Sequence, residues 1–163
     1  MRKTPQTWID AGLKALQTHG PDGLRAETLA RDLGATKGSF YWHFKDVPAF
    51  HDTILAQWSD AMFARMTDAL AKGDTPVTQL RNLSQMRPSK LDIAIRAWAT
   101  FDKRANKTVK AMDTKCIKII ADLLNQLDAP HPEFPELVHA AMIATPSTGH
   151  HGETLVDLLL ALR

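Results

Sequence analysis

Glu27-Thr-Leu-Ala-Arg-Asp-Leu-Gly-Ala-Thr-Lys-Gly-Ser-Phe-Tyr-Trp-His-Phe44 decides the fold. It reads as two short helices joined by a tight turn. Leu29, Ala30 and Leu33 share one face of the first helix. Gly34 follows, and a residue without Cβ takes the left-handed conformation that stops a helix. Thr36 offers a side-chain oxygen to cap a second helix, in which Phe40, Tyr41 and Phe44 recur at helical spacing. Two helices around a short turn with a glycine make a helix-turn-helix. In its DNA-binding versions the second helix lies in the major groove, with its first residues at the base edges. Here those residues are Lys37, Gly38 and Ser39: basic, small and hydrogen-bonding.

Upstream, Thr4-Pro5 is a helix start, because Thr caps and Pro sits where its missing N–H is harmless. Trp8, Ile9, Gly12, Leu13, Ala15 and Leu16 form the apolar side of that helix, and Gly20-Pro21-Asp22-Gly23 ends it. Such a helix packs behind the helix-turn-helix. Arg2 and Lys3 precede it, within reach of a phosphate or a minor groove; a basic terminus without contacts is the equal alternative.

Downstream, a long helix is expected over 48–71, with Asp46 or Val47 near its N-cap. Phe50, Ile54, Trp58, Met62, Met66 and Leu70 recur every four residues as one apolar stripe. Gly73 and Pro76 break it. Val77, Leu80, Leu83 and Met86 mark a short helix, and Leu91, Ala94, Ile95, Trp98 and Phe101 another. A strong helix then runs to about 127 through Val109, Met112, Cys116, Ile120 and Leu124. Residues 128–135 read as a stiff linker, and 137–144 and 155–162 as two final helices. The fold class is all-α, with residues 1–47 as a helix-turn-helix head and 48–163 as a helical-bundle body.

The chain has 163 residues and a net charge of +2, so it is no polycationic coat, although a few well-placed charges suffice for sequence-specific DNA binding. Residues 1–50 hold seven Lys/Arg against five acids, and 131–163 hold one against four. A basic head and an acidic end suit a body that faces away from DNA. The single cysteine, Cys116, forms no internal disulfide and fits a reducing cytoplasm. No leader is expected before the first helix, and no apolar run in the sequence is long enough to span a membrane. Neither a phosphate loop, a nucleophile elbow nor a paired cysteine cluster is present, so no enzyme and no cofactor is expected. His150-His151 sits in a loop, where adjacent imidazoles project apart without a third ligand at useful spacing, and Glu136-Leu-Val-His139 is a single copy; no metal is expected.

Leu29-Ala30, Leu33-Gly34, Lys37-Gly38 and Phe40-Tyr41-Trp42-His43-Phe44-Lys45 resemble the DNA-binding domain of TetR-type transcriptional regulators, with Tyr-x-His-Phe the most specific part. The resemblance covers residues 5 to about 55. It implies an all-helical homodimer on a palindromic operator, and a body that senses a small-molecule effector and releases DNA, usually as a repressor. It has two departures. Val47 stands where the family usually has a phosphate-binding Lys, a role Lys45 can take, and Arg25 stands where the family prefers a Thr cap.

The expected DNA contacts are Arg25, Thr28, Thr36, Lys37, Gly38, Ser39, Tyr41, Trp42, His43 and Lys45. Lys37 can donate to guanine O6 or N7, and Thr28 and Thr36 lie where helix N-termini meet phosphates. His43 is also readable as a structural hydrogen-bonder. Trp58, Met62, Met66, Trp98, Phe101, Met112 and Cys116 are candidates to line an effector cavity, with plain core the favoured alternative for each. Leu137, Ala140, Ala141, Ala144, Leu155, Leu158, Leu159 and Leu162 are the expected dimer interface, two helices from each subunit. A helical adaptor for proteins, or a small-molecule binder without DNA binding, is the competing reading.

Overall fold

The computed structural model describes residues 3–128, 131–144 and 152–161. Among them the regular structure is helical: α1 (Pro5–His19), a 3-10 segment (Gly20–Leu24), α2 (Ala26–Asp32), α3 (Lys37–Tyr41), α4 (Val47–Ala71), α5 (Pro76–Ser84), α6 (Lys90–Ala99), α7 (Lys103–Gln126), α8 (Phe134–Ile143) and α9 (Gly152–Ala161).

The helix boundaries follow local chemistry. Thr4 caps α1 by accepting from the Thr7 N–H, with Pro5 in the first turn. Asp46 caps α4 through a 2.7 Å bond from the Ala49 N–H. Thr75 and Thr78 close a reciprocal capping box on α5. Gly20 and Gly34 both have positive φ, at 64° and 59°. The linker expected over 128–135 is shorter than that reading. Phe134 and Pro135 already belong to α8, because a proline in the first helical turn loses no bond.

The chain divides into two compact units, and the division does not follow a boundary at residue 47. One unit comprises residues 1–60 and 90–109, the other 61–89 and 110–163. The first thus holds α1 to α3, the first half of α4, α6 and the start of α7. Its core is Trp8, Leu16, Leu24, Leu29, Phe40, Phe50, Ile54, Trp58 and Ile95, all buried. Helix α1 crosses α4 closely at Gly12, where a Cβ would come within 2.6 Å of the Phe50 ring tip. Helix α6 is tied to α4 by two aromatic side chains. Trp58 Nε1 donates to Asp92 Oδ1 at 2.8 Å, and His51 meets the Trp98 ring edge-on at 5.1 Å.

The second unit has its own core of Met66, Leu80, Leu83, Met112, Cys116, Ile120, Leu124, Val138, Met142, Val156 and Leu159. Helices α5 and α9 approach until a Cβ on Gly152 would sit 2.5 Å from the Ser84 carbonyl oxygen. Arg81 locks the same pair by donating from Nε and a terminal nitrogen to Asp157 Oδ1, at 3.0 and 2.8 Å. His139, read in sequence beside Glu136, turns to Asp113 on α7 instead, with Nε2 3.2 Å from its Oδ1.

Candidate nucleic-acid interface

The exposed surface of α3 is set by what anchors it from behind. Phe40 is fully buried and meets Trp8 at 5.4 Å, Phe44 at 5.2 Å and Phe50 at 5.2 Å between ring centroids. A short helix carries little stability of its own, so this aromatic cluster is what holds its direction. Thr36 starts the helix by accepting from the Ser39 N–H at 3.2 Å. The helix N-terminus is therefore defined by a side chain, and Lys37 stands in its first turn.

On the outer side lie Lys37, Gly38, Tyr41, Trp42 and Lys45. Tyr41 is 44% exposed and Trp42 72% exposed, which is unusual for side chains of that size. A Cβ at Gly38 would meet only Thr36 Oγ1, at 3.9 Å, so the fold does not require glycine there and the backbone stays open to a ligand. Thr28 and Ser39 are half-buried beside them, and Thr36 is exposed.

The cations are not equally available. Lys37 Nζ forms an ion pair with Glu27 on α2 and lies 5.9 Å from the Tyr41 ring centroid. The hydrogen bond from Lys37 holds the Glu27 carboxyl below its usual range, and Glu27 in turn raises Lys37. Arg25 does not cap α2; its guanidinium pairs with Asp22 at 2.6 Å. Glu27 is not among the residues expected from the sequence, because its partner Lys37 lies on a different helix and no local spacing marks the pair. His43 sits just past α3, and its Nε2 donates to the Lys3 carbonyl at 2.8 Å.

The expected effector-cavity residues have different fates. Trp58, Met66, Trp98, Met112 and Cys116 are buried, Met62 is half-buried, and Phe101 is 73% exposed. They are divided between the two units. The open grooves beside Asp10, Lys14 and Asp32, and beside Arg65, Asp68 and Lys72, involve none of the seven. Of the expected interface residues, Leu137 and Leu158 are 48% and 57% exposed and Ala140 is exposed. Ala141, Ala144 and Leu155 are half-buried. Leu159 is a correction: it is 6% exposed and points into its own subunit's core, because the helical period turns it toward Val156 rather than Leu158. Leu162 lies outside the described residues, as do His150 and His151.

Comparison with known proteins agrees with this geometry. Residues 9–46 match the sequence profile described as bacterial regulatory proteins, tetR family. No curated protein sequence matches the chain. The fold as a whole is similar to that of a putative TetR-family transcriptional regulator from Rhodococcus sp., with a TM-score of 0.75 at 21% identity over 96% of this chain and 98% of the other. It is also similar to a transcriptional regulator from Rhodococcus sp. Rha1, with a TM-score of 0.73 at 15% identity over 98% and 95%. A TetR-family regulator from Bordetella parapertussis gives a TM-score of 0.58 at 14% identity over 97% and 92%. A body of this size is therefore shared with the similar folds.

Proposed function

We propose, because its N-terminal domain is that of a TetR-family transcriptional regulator, that the protein regulates transcription by binding a two-fold symmetric DNA site as a homodimer. The observation that carries this reading is the outer face of α3. A helix held from behind by Phe40, together with the turn that follows it, presents Lys37, Tyr41, Trp42 and Lys45 to solvent beside an unobstructed backbone at Gly38. Lysine supplies donors to guanine or phosphate, and flat exposed rings cover thymine methyls or sugar.

One head offers a small footprint, and two heads related by a two-fold axis double it. The exposed Leu137, Ala140 and Leu158 on α8 and α9 support pairing through these helices, since exposed leucines on adjacent helices gain by being covered. A small-molecule effector in the body would act by biasing α4 and thereby the separation of the two heads, with repression as the mode. Among the described residues no helix is long and apolar enough to cross a membrane.

Selection of bound duplexes from a random pool tests the reading directly. The expected winner is palindromic, its affinity falls steeply with salt, and Lys37→Ala weakens it. A folded, dimeric protein that enriches no duplex would overturn it in favour of a protein-binding adaptor.

A further inference from the structure

The chain's first described residue is tied to the end of the recognition helix. His43 Nε2 and the carbonyl oxygen of Lys3 are 2.8 Å apart, in a partly buried bond between residues 40 positions apart. A carbonyl only accepts, so Nε2 carries the hydrogen. One residue on, Thr4 is fixed as the N-cap of α1 through its bond from the Thr7 N–H. The Lys3 carbonyl and the residue that follows it are thus both held. His43 is flanked by Trp42, which is 72% exposed, and lies two residues before the exposed Lys45. The Lys3 backbone is therefore fixed at the same end of the head as the outer face of α3. Lys3 also differs from its basic neighbours. Arg25, Arg31 and Lys37 each pair with a carboxylate, whereas among the described residues Lys3 has no such partner.

We propose that Lys3 binds a DNA phosphate beside the recognition helix, and that His43 acts as its positioning residue rather than as a DNA contact itself. The inference rests on the DNA-binding reading above and adds a named contact to it. A half-exposed lysine with no carboxylate partner among the described residues, whose backbone carbonyl is held, loses less freedom on meeting a phosphate than one on a loose terminus. Val47 leaves the first residue of α4 without a cation, and among the described residues Lys3 and Lys45 are cations beside it without a carboxylate partner.

The test is a salt titration of full-length protein on its selected duplex, read by fluorescence anisotropy. Lys3→Ala is expected to lower affinity several-fold and to reduce the slope of log K against log salt by about 0.9, the value for one phosphate. His43→Ala is expected to lose the same slope, and the double variant no more than Lys3→Ala alone. His43→Gln, whose amide nitrogen occupies nearly the place of Nε2, is expected to restore it. A melting curve on each variant separates these effects from unfolding. An unchanged slope in Lys3→Ala, with native binding intact, would overturn this inference and leave the DNA-binding reading standing. Additive slope losses in the double variant would make His43 a phosphate contact and overturn its positioning role. Failure of the native protein to bind any duplex would overturn both.

Discussion

Lys37 of α3 and Glu27 of α2 form an ion pair across the turn, on the surface that faces DNA in the proposed complex. Both side chains are more than half exposed, so the pair adds little to stability. Its consequence is for binding. Lys37 must leave Glu27 to reach a base or phosphate, and the carboxylate left behind repels the DNA backbone. Glu27→Gln is expected to raise affinity for the selected duplex several-fold at low salt and less at high salt. A fall in affinity, with relaxed preference at one base pair, would show instead that Glu27 accepts from a cytosine amino group.

Trp58 and Asp92 join α4 to α6 through a buried hydrogen bond. Trp58→Phe keeps most of the ring and removes the donor. Removing one donor from a buried carboxylate costs about 1–3 kcal/mol. Urea unfolding checks this, and a variant as stable as the native protein would mean that other groups satisfy Asp92.

His51 is half-buried against Trp98, and among the described residues its Nε2 has no hydrogen-bond partner. Burial lowers its pKa; Asp102 and Asp52 oppose this and Arg104 reinforces it. The unfolded chain then takes up a proton near the ordinary value of about 6.5, while the folded chain does so only at lower pH. Stability from this group is complete above about pH 6.5 and declines as the pH falls below it, by at most about 1.4 kcal/mol per pH unit. His51→Phe is expected to show a smaller loss than the native protein between pH 7.5 and 5.5 in denaturant titrations. Equal losses would place the dependence on other groups.

Leu158 and Leu137 stand exposed on α9 and α8. Leu158→Asp is expected to convert a dimer to a monomer in sedimentation equilibrium with little change in helicity, whereas Leu159→Asp, at a buried position, is expected to unfold the unit. Dimerisation undisturbed by Leu158→Asp would move the interface elsewhere.

Much of the head was legible in the sequence because its signals are local. A capping Thr, a proline in the first turn and a glycine with positive φ act through a few neighbouring backbone atoms, and Thr4, Gly34 and Thr36 behave as their chemistry demands. Phe40, Tyr41 and Phe44 recur together at helical spacing, and of the three Phe40 and Phe44 are buried while Tyr41 is exposed. Other features need contacts distant in the chain. The Glu27 to Lys37 pair, the Lys3 to His43 bond and the Trp58 to Asp92 bond join residues on different helices, and no periodicity carries them.

The sequence by itself determined the helical character, the turn between α2 and α3, and much of the buried stripes of α1 and α4, because these follow from backbone sterics and a repeat of about 3.6 residues. Only the tertiary structure decided which cations are already paired, that Phe101 is outside while Leu159 is inside, and that α6 packs with the head in one compact unit. Those outcomes depend on which helix faces meet, and side chains far apart in the chain become neighbours only when the whole core has closed.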